Sequence, residues 1–113
     1  MLFRRSNSLT PSEAAAALSR GELRFVDVRE AAELAEARIQ DAQHILLDQL
    51  PGRLRELDHA QPVAFLCRSG SRSAMATRTA TKAGLDARNV KGGIRAWKRE
   101  GLPLASDSNR GSA

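Results

Sequence analysis

Residues 62–67, Pro62-Val63-Ala64-Phe65-Leu66-Cys67, are apolar at odd and even positions alike. Successive side chains of a strand point to opposite faces, so a segment apolar at both parities belongs in a sheet covered on both sides. The chain has 113 residues, enough for one domain and little more. Together these point to an α/β domain with a central, mainly parallel sheet and helices on both faces. The sequence holds one tryptophan and no tyrosine, so the core must be built largely from Leu, Ile, Val and Ala.

The flanking segments supply those elements. Thr10-Pro11-Ser12-Glu13 is a capping box with proline at the first helical position, and Gly21 marks a stop. Leu23 to Val28 reads as a strand rich in β-formers, and Ala31 to Arg38 returns to helical composition, with Leu34 and Ile39 as core candidates. His44-Ile45-Leu46-Leu47 reads as a second strand. Leu50, Leu54 and Leu57 then follow at helical spacing, interrupted by Pro51-Gly52. Ser73 to Ala83 reads as a helix closed by Gly84, and Asn89-Val90-Lys91 as a weak last strand. Ile94 to Glu100 forms a short helix carrying Trp97. The domain is expected over residues 8–104, with a small polar tail, 105–113, expected to be disordered.

Composition narrows the function. No apolar run approaches the roughly 18 residues of a membrane span. The two arginines near the start, Arg4 and Arg5, have no apolar segment behind them as a secretory signal would, so a cytoplasmic location is expected. The lone cysteine agrees, since it can form no intrachain disulfide. The net charge is +5, yet the arginines are scattered among acids without interleaved aromatics for base stacking, which argues against nucleic acid. His44 and His59 are expected to be structural or exposed. With one cysteine and two scattered histidines there is no metal-ligand spacing, so no metal and no cofactor is assigned.

The chemistry concentrates in Cys67-Arg68-Ser69-Gly70-Ser71-Arg72-Ser73, placed between the buried strand and a helix. In parallel sheets, ligands bind beyond the carboxyl ends of the strands, and Cys67 stands at such an end. A short loop with a flexible glycine, closing into a helix, turns backbone N–H groups toward one point. Those donors, with guanidiniums from Arg68 and Arg72, favour a negative sulfur and lower a cysteine's pKa. Ser69, Ser71 and Ser73 add hydroxyls. A lone cysteine ending an apolar strand is more often an inert core residue. The two arginines, glycine and three serines that follow favour instead an ionised, solvent-reachable nucleophile that needs no general base.

Three segments together resemble the rhodanese family of sulfurtransferases across residues 8–104. Phe25-Val26-Asp27-Val28-Arg29-Glu30 is similar to the family's strand ending in Asp-Val-Arg. Cys67 to Ser73 is similar to the active-site loop of its small single-domain members. Val90-Lys91-Gly92-Gly93-Ile94-Arg95-Ala96-Trp97, followed by Gly101-Leu102-Pro103, resembles its C-terminal signature. The resemblance implies that Cys67 takes a sulfane sulfur from a donor such as thiosulfate and, as a persulfide, passes it to cyanide or a thiol. Arg68, Ser69, Gly70, Ser71, Arg72 and Ser73 would bind the substrate, with loop N–H groups holding the terminal sulfur. Asp27 and Arg29 would brace the sheet end.

The sequence departs from the family pattern at Ala37-Arg38-Ile39, where Gly-His-Ile is usual, and at Asp41-Ala42, where Gly-Ala is common. The charge of Arg38 either alters substrate preference or reaches solvent. A cysteine phosphatase or arsenate reductase is an alternative. Those loops place five residues between cysteine and arginine, whereas four separate Cys67 from Arg72. A non-catalytic module is disfavoured by the retained cysteine and loop. A persulfide carrier serving a sulfur-relay protein would use the same chemistry. Because Cys67 is the single cysteine, its persulfide must be discharged to an external acceptor.

Overall fold

In the computed structural model, which describes residues 7–107, the apolar strand splits its side chains between two layers. This is β4, Val63–Leu66, and all four of its residues are buried. Val63 and Phe65 pack on one side, with Val26, Val28, Ile45, Leu50, Ala76 and Ala80. Ala64 and Leu66 pack on the other, with Leu9, Ala14, Phe25, Ile94 and Trp97. The expectation of helices on both faces is met. Phe65 is fully enclosed, and removal of a phenyl ring at such a position costs about 3–5 kcal/mol.

Among the described residues the sheet has five strands in the order β1-β5-β4-β2-β3, with β1 Ser8–Leu9, β2 Arg24–Asp27, β3 Gln43–His44 and β5 Ala87–Val90. All four pairings are parallel. From β2 the chain moves outward to β3, whereas from β4 it moves outward to β5 on the opposite side. The crevice between the carboxyl ends of β2 and β4 is therefore the place where such a sheet binds ligands. Arg29 and Cys67 flank it.

The helices are α1 Pro11–Ser19, α2 Ala31–Glu36, α3 Leu50–Arg53, α4 Ser71–Lys82 and α5 Gly93–Arg99. The expected capping box opens α1, with Thr10 Oγ1 accepting from Glu13 N and Glu13 Oε1 accepting from Thr10 N. Pro11 sits where its missing N–H costs nothing. On α5, Trp97 meets Phe25 edge to face, with centroids 5.6 Å apart, and donates its indole N–H to Pro103 O at 2.9 Å.

Several boundaries differ from expectation: α2 ends at Glu36 rather than Arg38, and β5 runs from Ala87 to Val90 rather than from Asn89 to Lys91. β1 went unpredicted, because a two-residue strand with one apolar side chain carries no periodicity. β3 ends at His44, short of the expected Leu47. Ile45 N still donates to Asp27 O and Leu47 N to Val28 O, but residues Leu47–Gln49 tighten into a 3₁₀ turn that delivers Leu50 to the layer holding Ile45. α4 begins at Ser71 rather than Ser73, since Gly70 turns the chain directly into it. The expected tail starts at 105, yet Ala105 and Arg38 exchange both backbone bonds at 2.8 Å, and Arg38 Nη1 reaches Asp107 Oδ1 at 2.9 Å. Residues 108–113, and the Met1 to Ser6 segment of the leader reading, lie outside the described residues.

Candidate active site

Beyond β4 the chain has four residues in which to turn from a buried strand into α4, and Gly70 makes this possible. Its φ of 112° is in the left-handed region, and a Cβ there would stand 3.4 Å from Gly92 N. The turn folds N–H groups back over Cys67, with Gly70 N donating to Sγ at 3.1 Å and Ser73 Oγ lying 3.3 Å from it.

The carboxyl side of the loop is fastened to α5. Ile94 N donates to Cys67 O at 2.8 Å, and Arg95 N to Arg68 O at 3.1 Å. Gly93, at φ 61°, makes that approach possible, because a Cβ would overlap Cys67 O and lie 2.6 Å from the Arg68 carbonyl. The Gly92-Gly93 pair thus explains why the last helix can start against the peptide of Cys67.

Two opposing influences act on the sulfur. Burial is the largest and pushes the thiol up. The Ser73 hydroxyl and then the N–H groups of Ser73, Gly70 and Ser69 pull it down, and together they hold it below the ordinary cysteine value. The ionised form is therefore favoured by dipoles aimed at one atom.

The expected guanidinium contribution is different. Arg72 gives both terminal nitrogens to Glu33, at 3.0 Å each, so its charge is matched by a carboxylate. Its pKa is raised chiefly by the bond to Glu33, against burial, and only weakly by Cys67. Arg68 is exposed and lines a neighbouring cavity. Ser69 and Ser71 are exposed at the crest, and Ser73 is buried against the sulfur. The expectation of a solvent-reachable sulfur also needs correction: Cys67 is 0% exposed, lying under the crest of its own loop.

Asp27 and Arg29 form a buried pair at the end of β2. Arg29 Nε and Nη2 donate to Asp27 Oδ1 at 2.9 Å and Oδ2 at 2.8 Å, and Nη2 also donates to Ala37 O at 2.7 Å. Neither side chain contacts the sulfur. Ala37 accepts that bond at φ −164°, extended backbone open to any residue, which removes the need for the family's glycine at this position. Arg38 neither faces the loop nor runs free into solvent, since it holds Leu34 O and Asp107. His44 Nε2 lies 2.6 Å from Arg29 O, while His59 is exposed.

Two contributors were not singled out from the sequence. Glu33 accepts Glu30 N at 2.9 Å and clamps Arg72, joining the first turns of α2 and α4. Asn89 on β5 accepts from Ser73 Oγ at 2.5 Å and donates to Gly70 O at 3.3 Å. The spacing Glu30-x-x-Glu33 signals a helix start, not a partner for Arg72. Nothing local marks Asn89.

The sequence profile of the rhodanese family, described as a rhodanese-like domain, matches residues 10–100. A protein of Allochromatium vinosum named a sulfurtransferase is 37% identical over 83 residues, covering 73% of this chain and 78% of that protein. The thiosulfate sulfurtransferase GlpE of Actinobacillus pleuropneumoniae is 32% identical over 81 residues, covering 71% and 75%. The crystal structure of a rhodanese-related protein from Thermoplasma volcanium superposes with a TM-score of 0.82 at 28% identity, covering 87% of this chain and 96% of that one.

Proposed function

The chain belongs to the rhodanese family, and on that premise we propose that it is a sulfurtransferase in which Cys67 carries the transferred sulfur. The observation that carries this reading is the convergence of Gly70 N–H and the Ser73 hydroxyl on one sulfur, in a loop that favours its ionised form.

The steps follow from that arrangement. The Cys67 thiolate attacks the outer, sulfane sulfur of thiosulfate. A new S–S bond forms to Sγ, the old bond to the sulfonate sulfur breaks, and sulfite leaves with the electron pair. The outer sulfur of the persulfide then carries the negative charge, and the N–H groups of the crest are the fitting donors for it. Cyanide or a thiolate attacks that outer sulfur, and the Sγ–S bond breaks to restore the Cys67 thiolate. No general base is required, because the nucleophile enters already ionised. Arg68, Ser69, Gly70, Ser71, Arg72 and Ser73 shape the loop, with Arg72 acting through its clamp on Glu33. Asp27 and Arg29 set the sheet end beneath it.

Transfer to a partner protein uses the same persulfide, and the lone cysteine leaves every discharge to an external acceptor. The test is intact mass spectrometry after exposure to thiosulfate. One added sulfur, removed by a reducing thiol and absent in Cys67→Ser, is the expected result. A Cys67→Ser protein that still moves sulfur overturns it.

A further inference from the structure

Beside the nucleophile, four cations stand without a carboxylate partner among the described residues: Arg68, Arg95, Lys98 and Arg99. All four line a cavity of about 340 Å³ between α2 and α5. Of the two carboxylates on its far wall, Glu33 is spent on Arg72, which leaves only Glu36. Arg29, at the floor, is spent on Asp27. Four free cations against one free carboxylate make the cavity strongly attractive to anions.

Helix electrostatics account for only part of this. Lys98 and Arg99 lie in the last turn of α5, where the helix dipole favours cations. Arg95 lies in the first turn, where the dipole disfavours them. It also sits three and four residues from Lys98 and Arg99, a spacing at which like charges repel. A carbonyl–amide bond ties this stripe to the reaction, since Arg95 N holds Arg68 O, one residue from Cys67. The cavity is far larger than a thiosulfate ion, two sulfurs with three oxygens, so a small inorganic donor does not fill it.

We propose that this cavity seats the carboxylates of the sulfur acceptor, a small thiol bearing two or more of them, while its thiolate reaches the Cys67 persulfide past Arg68. The proposal rests on the sulfurtransferase function above. The acceptor loses its thiol proton to solvent, its thiolate attacks the outer persulfide sulfur, and the Sγ–S bond breaks. The electron pair returns to Cys67, and the acceptor leaves as its own persulfide.

The test loads the full chain with thiosulfate, confirms the persulfide by mass, and times its discharge by mercaptosuccinate, 2-mercaptoethanol and cysteamine. Each rate is compared with that of R95Q/K98Q/R99Q, a variant whose neutral side chains suit a helix. The expected result is a loss of about tenfold or more for mercaptosuccinate, the sum of two or three exposed ion pairs. 2-Mercaptoethanol stays unchanged, cysteamine is unchanged or faster, and thiosulfate loading is unaltered. Equal losses for the neutral and dianionic thiols overturn the proposal alone, as does a loss confined to thiosulfate loading. If the wild-type protein forms no persulfide, the function falls and the proposal falls with it.

Discussion

Ser73 Oγ lies 2.5 Å from Asn89 Oδ1 and 3.3 Å from both Cys67 Sγ and Gly70 O, and it has one hydrogen to give among the three. Asn89 and the sulfur therefore compete for a single donor. The shortest of these contacts is the one to Asn89, and an ionised sulfur is a stronger acceptor than a neutral thiol. Asn89→Asp places a charged competitor beside the hydroxyl, so the thiol's titration midpoint should rise and persulfide formation at neutral pH should slow. Asn89→Ala releases the hydroxyl, so the midpoint should fall. Thiolate absorbance in the ultraviolet against pH reads both. Ser73→Ala removes the donor and should slow loading about tenfold, the worth of one charged hydrogen bond. Shifts of the same sign for Asn89→Asp and Asn89→Ala would rule out the competition.

The Asp27–Arg29 pair makes a different demand. Both side chains are buried, at 0% and 4% exposure, and the guanidinium also holds Ala37 O. Removing only the carboxylate strands a buried cation. Asp27→Ala should therefore cost about 3–5 kcal/mol of stability, a large share of what a domain of this size has. If the pair acts as a brace and not as a sulfur ligand, the folded fraction of Asp27→Ala at low temperature should still load sulfur at Cys67. Urea unfolding beside intact mass measurement separates the two effects. A variant as stable as the wild type contradicts the brace.

Glu33 gives the acid response a definite window. Arg72, bonded to both its oxygens, holds the carboxyl down to about 2 from an ordinary 4.5, against the opposing effect of burial. The folded value is the lower one, so the stabilisation is complete above pH 4.5 and is lost as pH falls toward 2. With solvent screening it amounts to about 1–2 kcal/mol. Glu33→Gln should lower stability by that amount at pH 6, and the gap from wild type should narrow below pH 4.5 and close as pH approaches 2. A gap that is undiminished between pH 6 and pH 2 would assign the loss to packing.

The sequence showed most clearly what periodicity and punctuation can encode. The two-faced strand announced the covered sheet, Thr10 and Glu13 announced α1, and Cys67 to Ser73 announced the loop. What stayed hidden depends on elements far apart in the chain. Arg72 looked like a free cation until folding set it against Glu33, 39 residues away. Ala105 looked like a tail until it met Arg38. Asn89 is an ordinary strand residue until β5 lies beside the start of α4. Partners of this kind are set by how distant elements are brought together, which no local window contains.

The enclosure of Cys67 governs how fast any of this chemistry can begin. The sulfur is 0% exposed, yet what covers it is the loop crest, whose Arg68, Ser69 and Ser71 are themselves exposed. A donor is therefore expected to reach it only when that crest lifts, a local opening far smaller than unfolding. The clamps at its two ends, Glu33 on Arg72 and Ile94 on Cys67 O, set how often it does. Iodoacetamide should therefore alkylate the native protein through brief openings, more slowly than its ionised sulfur would allow if exposed. Glu33→Gln, which loosens one clamp, should raise that rate several-fold at pH 7 while leaving the sheet intact. Alkylation as fast as that of a free thiolate would show that the crest does not cover the sulfur. No alkylation short of global unfolding would show that it never opens, and sulfur transfer at Cys67 could not then proceed.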